Sequence, residues 1–133
     1  MRSCVFINSD PADRAIFVTA LFDTSPDTVC FLADNDTHAL KIMREDSIVP
    51  DYIFIELDTY GINGFNFLRR IRNIQSLSRI PVIVHCDSPG RICIDDLRTI
   101  GAFAIYPIPY NYKGMCNILN IYLNQDSINL NLN

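Results

Sequence analysis

The chain has 133 residues, 49 % of them hydrophobic, with a formal net charge of −4 at pH 7; that suits one domain with one core and disfavours non-specific nucleic-acid binding through the overall field. Seven Pro and five Gly exclude a Pro/Gly-rich disordered polymer. The five cysteines, Cys4, Cys30, Cys86, Cys93 and Cys116, are odd in number and form no C-x-x-C pair, so they read as reduced, packed thiols rather than a disulfide framework or a zinc cluster.

"CVFI" (Cys4 to Ile7) predicts a short buried strand. Asp10 then stands as a helix cap before Pro11 and Asp13, and Phe17, Ala20 and Leu21 share the inner face of the first helix. "TVCFLA" (Thr28 to Ala33) is β-branched and aromatic, which predicts the second strand. Ala39, Leu40 and Met43 have helical spacing, and Pro50 with Asp51 breaks the chain. Tyr52 to Leu57 is the third strand; its apolar run reaches a carboxylate at Glu56, with Asp58 two residues on.

From Gly64 the period is helical again. Phe67, Ile71 and Ile74 form the apolar stripe, leaving Arg69, Arg70 and Arg72 as a solvated face. "IPVIVH" (Ile80 to His85) is the fourth strand. Cys93, Leu97 and Ile100 predict a fourth helix that Gly101 ends. "FAIY" (Phe103 to Tyr106) is the fifth strand, and Pro107 and Pro109 suit an edge and its exit loop. The last helix is expected over about 111 to 123, with Met115, Ile118, Leu119 and Tyr122 inward. The polar, Asn-rich remainder alternates over "INLNLN", too short a run to decide its structure. No run approaches the ~18 apolar residues of a membrane span, and the apolar stretch before Asn8 is too short for a secretory signal. A cytoplasmic protein is expected.

Strands of continuous apolarity separated by helices imply an α/β domain, with a parallel sheet covered on both faces and a site at the carboxyl ends of the strands. The domain is expected over residues 1 to 123, with 124 to 133 a tail and no output domain.

Four stretches, "VFINSDPADR", "PDYIFIELDTYGINGFNFLRRIR", "IPVIVHCDS" and "GAFAIYPIPY", make residues 4 to 123 resemble the CheY-like receiver domain of two-component response regulators. The resemblance implies a flavodoxin-like doubly wound five-stranded sheet of order 2-1-3-4-5. It also implies a phosphorylation pocket, built in the family from an acceptor aspartate, an acidic pair that holds Mg²⁺, a hydroxyl residue and a lysine. By position the acceptor falls on Glu56 and the acidic pair on Asn8 and Ser9. The hydroxyl falls on Cys86, the lysine on Ile108, and an aromatic switch position on Ile105. Each departs from the family's usual choice. Asn8 and Ser9 offer neutral oxygens to a hard cation, and Ile108 offers no charge to a phosphoryl group. Asn63 and Gly64 match the family's turn, a structural feature.

Three further carboxylates stand near this pocket in sequence. Asp10 reads as a cap, Asp58 as a turn carboxylate, and Asp87 leaves weak Mg²⁺ affinity open; otherwise no cofactor or metal is expected. Glu56 reads first as a solvated carboxylate and second as a fixed imitation of a phosphorylated aspartate. "HCD" (His85 to Asp87) is not a thiol–base pair, because successive strand residues face opposite ways. His38 is expected on the polar side of its helix. Ile92, Ile105, Ile108, Tyr110, Tyr112 and Ile121 are candidates for a partner or homodimer face formed by the fourth helix, the fifth strand and the last helix.

The expected function is a stand-alone receiver with a degenerate site, not an enzyme, acting by phosphorylation-independent protein–protein interaction. Its partners would belong to a two-component pathway, a histidine kinase or another response regulator, with no nucleic acid and no membrane. The alternatives are a working receiver phosphorylated through Glu56 or Asp58, and a flavodoxin-like binder of a small ligand. Against the latter, "NSDPAD" is acidic and lacks glycine.

Overall fold

In this computed structural model the described residues are 2–56, 62–85, 98–99, 101–106 and 111–124, with the backbone alone for 62–64 and 106. Strand β1 (Ser3–Ile7) leads into α1 (Pro11–Thr24), β2 (Val29–Ala33), α2 (Asp36–Glu45), β3 (Tyr52–Glu56) and α3 (Ile62–Arg72). Strands β4 (Val82–His85) and β5 (Ala104–Tyr106) precede the last helix, here α4 (Tyr112–Leu123). Residues 98–99 are helical; the rest of the predicted helix through Cys93, Leu97 and Ile100 lies outside the described residues.

The five strands form one parallel sheet in the order β2-β1-β3-β4-β5. Alternation along each strand splits the core in two. Val5, Ile7, Ile53, Ile55, Val82 and Val84 face Leu40, Met43, Phe67 and Ile71 of α2 and α3. Cys4, Phe6, Phe54 and Ile83 face Phe17, Leu21, Met115 and Leu119 of α1 and α4. Phe6 stacks on Phe17 at 4.0 Å between ring centroids, which fixes α1 across β1.

Helix starts follow the local chemistry. Asp10 accepts from the Ala12 N–H, with Pro11 next in the chain. Asn35 caps α2 by accepting from His38 N–H, and Asn111 caps α4 by accepting from Gly114 N–H; such caps are worth about 1 kcal/mol each. Some predicted edges move. Thr28 belongs to a turn, its N–H bonded to Ser25 O, and not to β2. Ile80 is held by Leu77 O before β4 begins. Ile74 lies past the end of α3 yet still packs on the core. Asn63 and Gly64, expected in a turn, stand in the first turn of α3.

One arginine overturns an expectation. Arg69 and Arg70 are exposed, but Arg72 is not part of a solvated face. Its guanidinium donates to Ser78 O at 3.1 Å, to Ile80 O at 2.9 Å and to Gly101 O. It thereby ties the end of α3 to the approaches of β4 and β5. Burial lowers its basicity from the ordinary arginine value. Gly101 adopts φ +109°, and a β-carbon there would collide with the Arg72 side chain.

Candidate functional site at the strand ends

Asn8 follows β1 and is 6 % exposed. By strand parity it stays on the α1 face with Phe6, as Glu56 does with Phe54. The Asn8 Nδ2 donates to Glu56 Oε2 and, at 3.3 Å, to Asp13 Oδ2. Its Oδ1 accepts from Asp10 N–H at 2.8 Å. The backbone carbonyl of Asn8 accepts from Arg14 NH1 at 2.7 Å, and the same nitrogen lies 3.1 Å from Asp34 Oδ1. A neutral amide therefore bridges two carboxylates, while Arg14 clamps the end of β1 to the residue after β2.

The placements of the expected site residues differ. Glu56 is half-buried and hydrogen-bonded to Asn8, so it is not a simply solvated carboxylate. Ser9 is exposed, and Asp10 is an exposed cap. Asp58, Cys86, Asp87, Ile92, Ile108 and Tyr110 lie outside the described residues. Asp13 and Arg14 were missed; their place in the first turn of a helix that opens at the strand ends was the available signal. His85 was judged only against Cys86. The register pairs His85 with Glu56, and the imidazole is buried on the α4 face beside Phe54, Ile83 and Met115. His38 is partly exposed, its Nδ1 accepting from Asp34 N–H at 3.2 Å.

A divalent cation asks for oxygen ligands, six of them around Mg²⁺. Here an amide nitrogen lies between the Glu56 and Asp13 oxygens, and the amide oxygen is turned to Asp10 N–H. That donor set does not fit such a cation unless the Asn8 amide turns over. Among the described residues no group of three or more His, Cys, Asp or Glu side chains could hold a metal ion.

The candidate partner face is not gathered into one patch. Tyr112 is exposed but turned to α1, its hydroxyl donating to Asp23 Oδ2. That bond raises the Tyr112 pKa from the ordinary phenol value, with a further bond to Cys116 acting the same way. Ile121 is exposed on the opposite flank of the buried stripe of α4. Ile105 is partly buried against the α2/α3 core. Phe103, missed by the sequence reading, is 58 % exposed and meets Tyr122 edge-on at 6.0 Å.

No protein-family model matches the chain, and no curated protein matches it. Solved structures do. The Mn²⁺-bound form of response regulator Rcp1 aligns at TM-score 0.81 and 18 % identity, over 92 % of this chain and 95 % of that one. The phosphorylated cyanobacterial phytochrome response regulator RcpA aligns at 0.81 and 18 %, over 93 % and 95 %. Chemotaxis response regulator CheY4 of Vibrio cholerae aligns at 0.74 and 17 %, over 91 % and 98 %. At these identities the likeness is one of fold: the chain has the CheY-like, flavodoxin-like fold.

Proposed function

We propose that this chain is a receiver-type domain of two-component signalling that works by binding a protein partner, not by accepting a phosphoryl group. The observation that carries the reading is the Asn8 amide bound to Glu56. Phosphoryl transfer to a carboxylate depends on positioning and on cations that neutralise the transferring oxygens. The carboxylate at the end of β3 meets a neutral donor where a receiver would place a metal site. Each well-placed donor lost from such a site typically costs about 10²–10³ in rate. The reading makes the chain a non-enzymatic, cytoplasmic module. Its partner is a histidine kinase, another response regulator or a second copy of the chain. No helix among the described residues is long and apolar enough to cross a membrane.

The working-receiver alternative draws on fold neighbours described as Mn²⁺-bound and as phosphorylated, but the Asn8 donor set speaks against it here. For the small-ligand alternative, the cavity under β3 and β4 has about 240 Å³ of empty space and an apolar lining of Phe6, Phe54, Ile83 and Met115 beside His85. Ligand pockets are usually larger and carry placed polar groups. The test is incubation with acetyl phosphate and Mg²⁺ followed by intact-mass analysis. The expected product is the unmodified chain; an acyl phosphate mapped to Glu56 would overturn the reading.

A further inference from the structure

The two edges of the sheet are treated differently. Strand β5 has three residues, and short edges resist pairing. Strand β2 has five, "VCFLA", with no Pro, Lys or other charge to blunt it. Its inner bonds are used by alternate residues: Val29 N–H donates to Arg2 O at 2.9 Å, and Ala33 O accepts from Asn8 N–H at 3.1 Å. In a parallel ladder the intervening Cys30 and Leu32 then aim their N–H and C=O groups outward. Apolar surface runs along the same margin. Arg14 reaches Asp34 at the end of β2, so the flank of α1 that carries Arg14 overlies this edge. Val18 and Phe22 follow on that flank at i+4 and i+8. They are 42 % and 70 % exposed, and Leu32 of the edge strand is 38 % exposed.

We infer that residues 128–132 of this chain cover that edge as a sixth strand, parallel to β2. The exit point supports it. Arg2, whose carbonyl holds the first residue of β2, also donates through NH1 to Leu123 O at the end of α4. Asn124 donates to Thr24 O, at the end of α1, at 3.2 Å. The chain therefore leaves α4 beside the start of β2. Residues 125–127 make the connection, and five extended residues span about 17 Å, the length of β2. The segment Ile128 to Asn133 alternates Ile or Leu with Asn, which gives one apolar face for Leu32, Val18 and Phe22 and one amide face for water. The crossover hand also fits. Helices α1 and α4 share one face of the sheet, and a step from β5 over α4 to the outer side of β2 runs the same way as β1–α1–β2. It is thus right-handed, as parallel crossovers almost always are.

The inference does not depend on the proposed function. Its test is amide hydrogen exchange by NMR on the full chain and on Leu130→Pro, which cannot pair as a strand and touches no core residue described above. Cys30 and Leu32 amides are expected to exchange slowly in the full chain and at least about tenfold faster in the variant. Val29 and Phe31, the inward-facing residues of β2, should hold their rates. Equal exchange of Cys30 and Leu32 in the two proteins would overturn the inference. So would protection that fades on dilution, which would assign the covering strand to a second copy.

Discussion

Asn8 donates to two carboxylates at once and is almost fully buried, so its neutrality is the property to test. Asn8→Asp places a third carboxylate against Glu56 and Asp13 and removes the donor both use. We expect a loss of about 1–3 kcal/mol at pH 7 by urea unfolding. Mutual repulsion holds such a group's pKa above its unfolded value. The penalty should therefore shrink as pH falls and the cluster takes up a proton, and millimolar Mg²⁺ should restore part of the loss by binding the folded state. An unchanged midpoint, with no pH or Mg²⁺ effect, would remove Asn8 from its assigned role. At Tyr112 the sign is that of a raised acid: the hydrogen bond to Asp23 favours the neutral phenol. Its small contribution is present below the ordinary tyrosine range and lost as pH rises through the folded value. Absorbance titration should show one late-ionising tyrosine that disappears in Tyr112→Phe. Single residues were legible in sequence where position alone decides, as with Glu56 at a strand end. They were not where a bond crosses the fold: nothing local to Arg72 announces three carbonyls from two later segments.

The elements themselves were read from apolar period and caps, and their edges shifted where a turn took a residue's N–H, as at Thr28 and Ile80. The tie between α3 and the approaches of β4 and β5 is a property of elements, not of one side chain. Arg72→Ala strips a charged donor from Ser78 O, Ile80 O and Gly101 O, for an expected loss of about 2–4 kcal/mol. Gly101→Ala forces a side chain into φ +109° and onto Arg72, for about 1–3 kcal/mol. Because both changes break the same tie, the double variant should lose clearly less than the sum. Additive losses in denaturant unfolding would mean the two residues act independently.

Across the whole molecule the sheet order and the two cores follow from strand–helix alternation and strand parity, both visible in sequence. The site is less visible because its parts come from different strand ends: Asn8 after β1, Glu56 closing β3, and Asp13 and Arg14 from α1. Their meeting depends on register, which also sets His85 beside Glu56. The interaction face was the least legible, since contiguity is a matter of three dimensions. Tyr112 turned to α1, and Phe103 emerged near the last helix instead. The account rests on a strand-end pocket that has the CheY-like frame without phosphoryl-transfer chemistry. Amide-shift titration of the labelled chain, first with Mg²⁺ and then with beryllofluoride as an acyl-phosphate mimic, tests that most directly. The account predicts no saturable shift at Asn8 or Glu56. Saturable shifts there, spreading to Ile105 in β5, would contradict it.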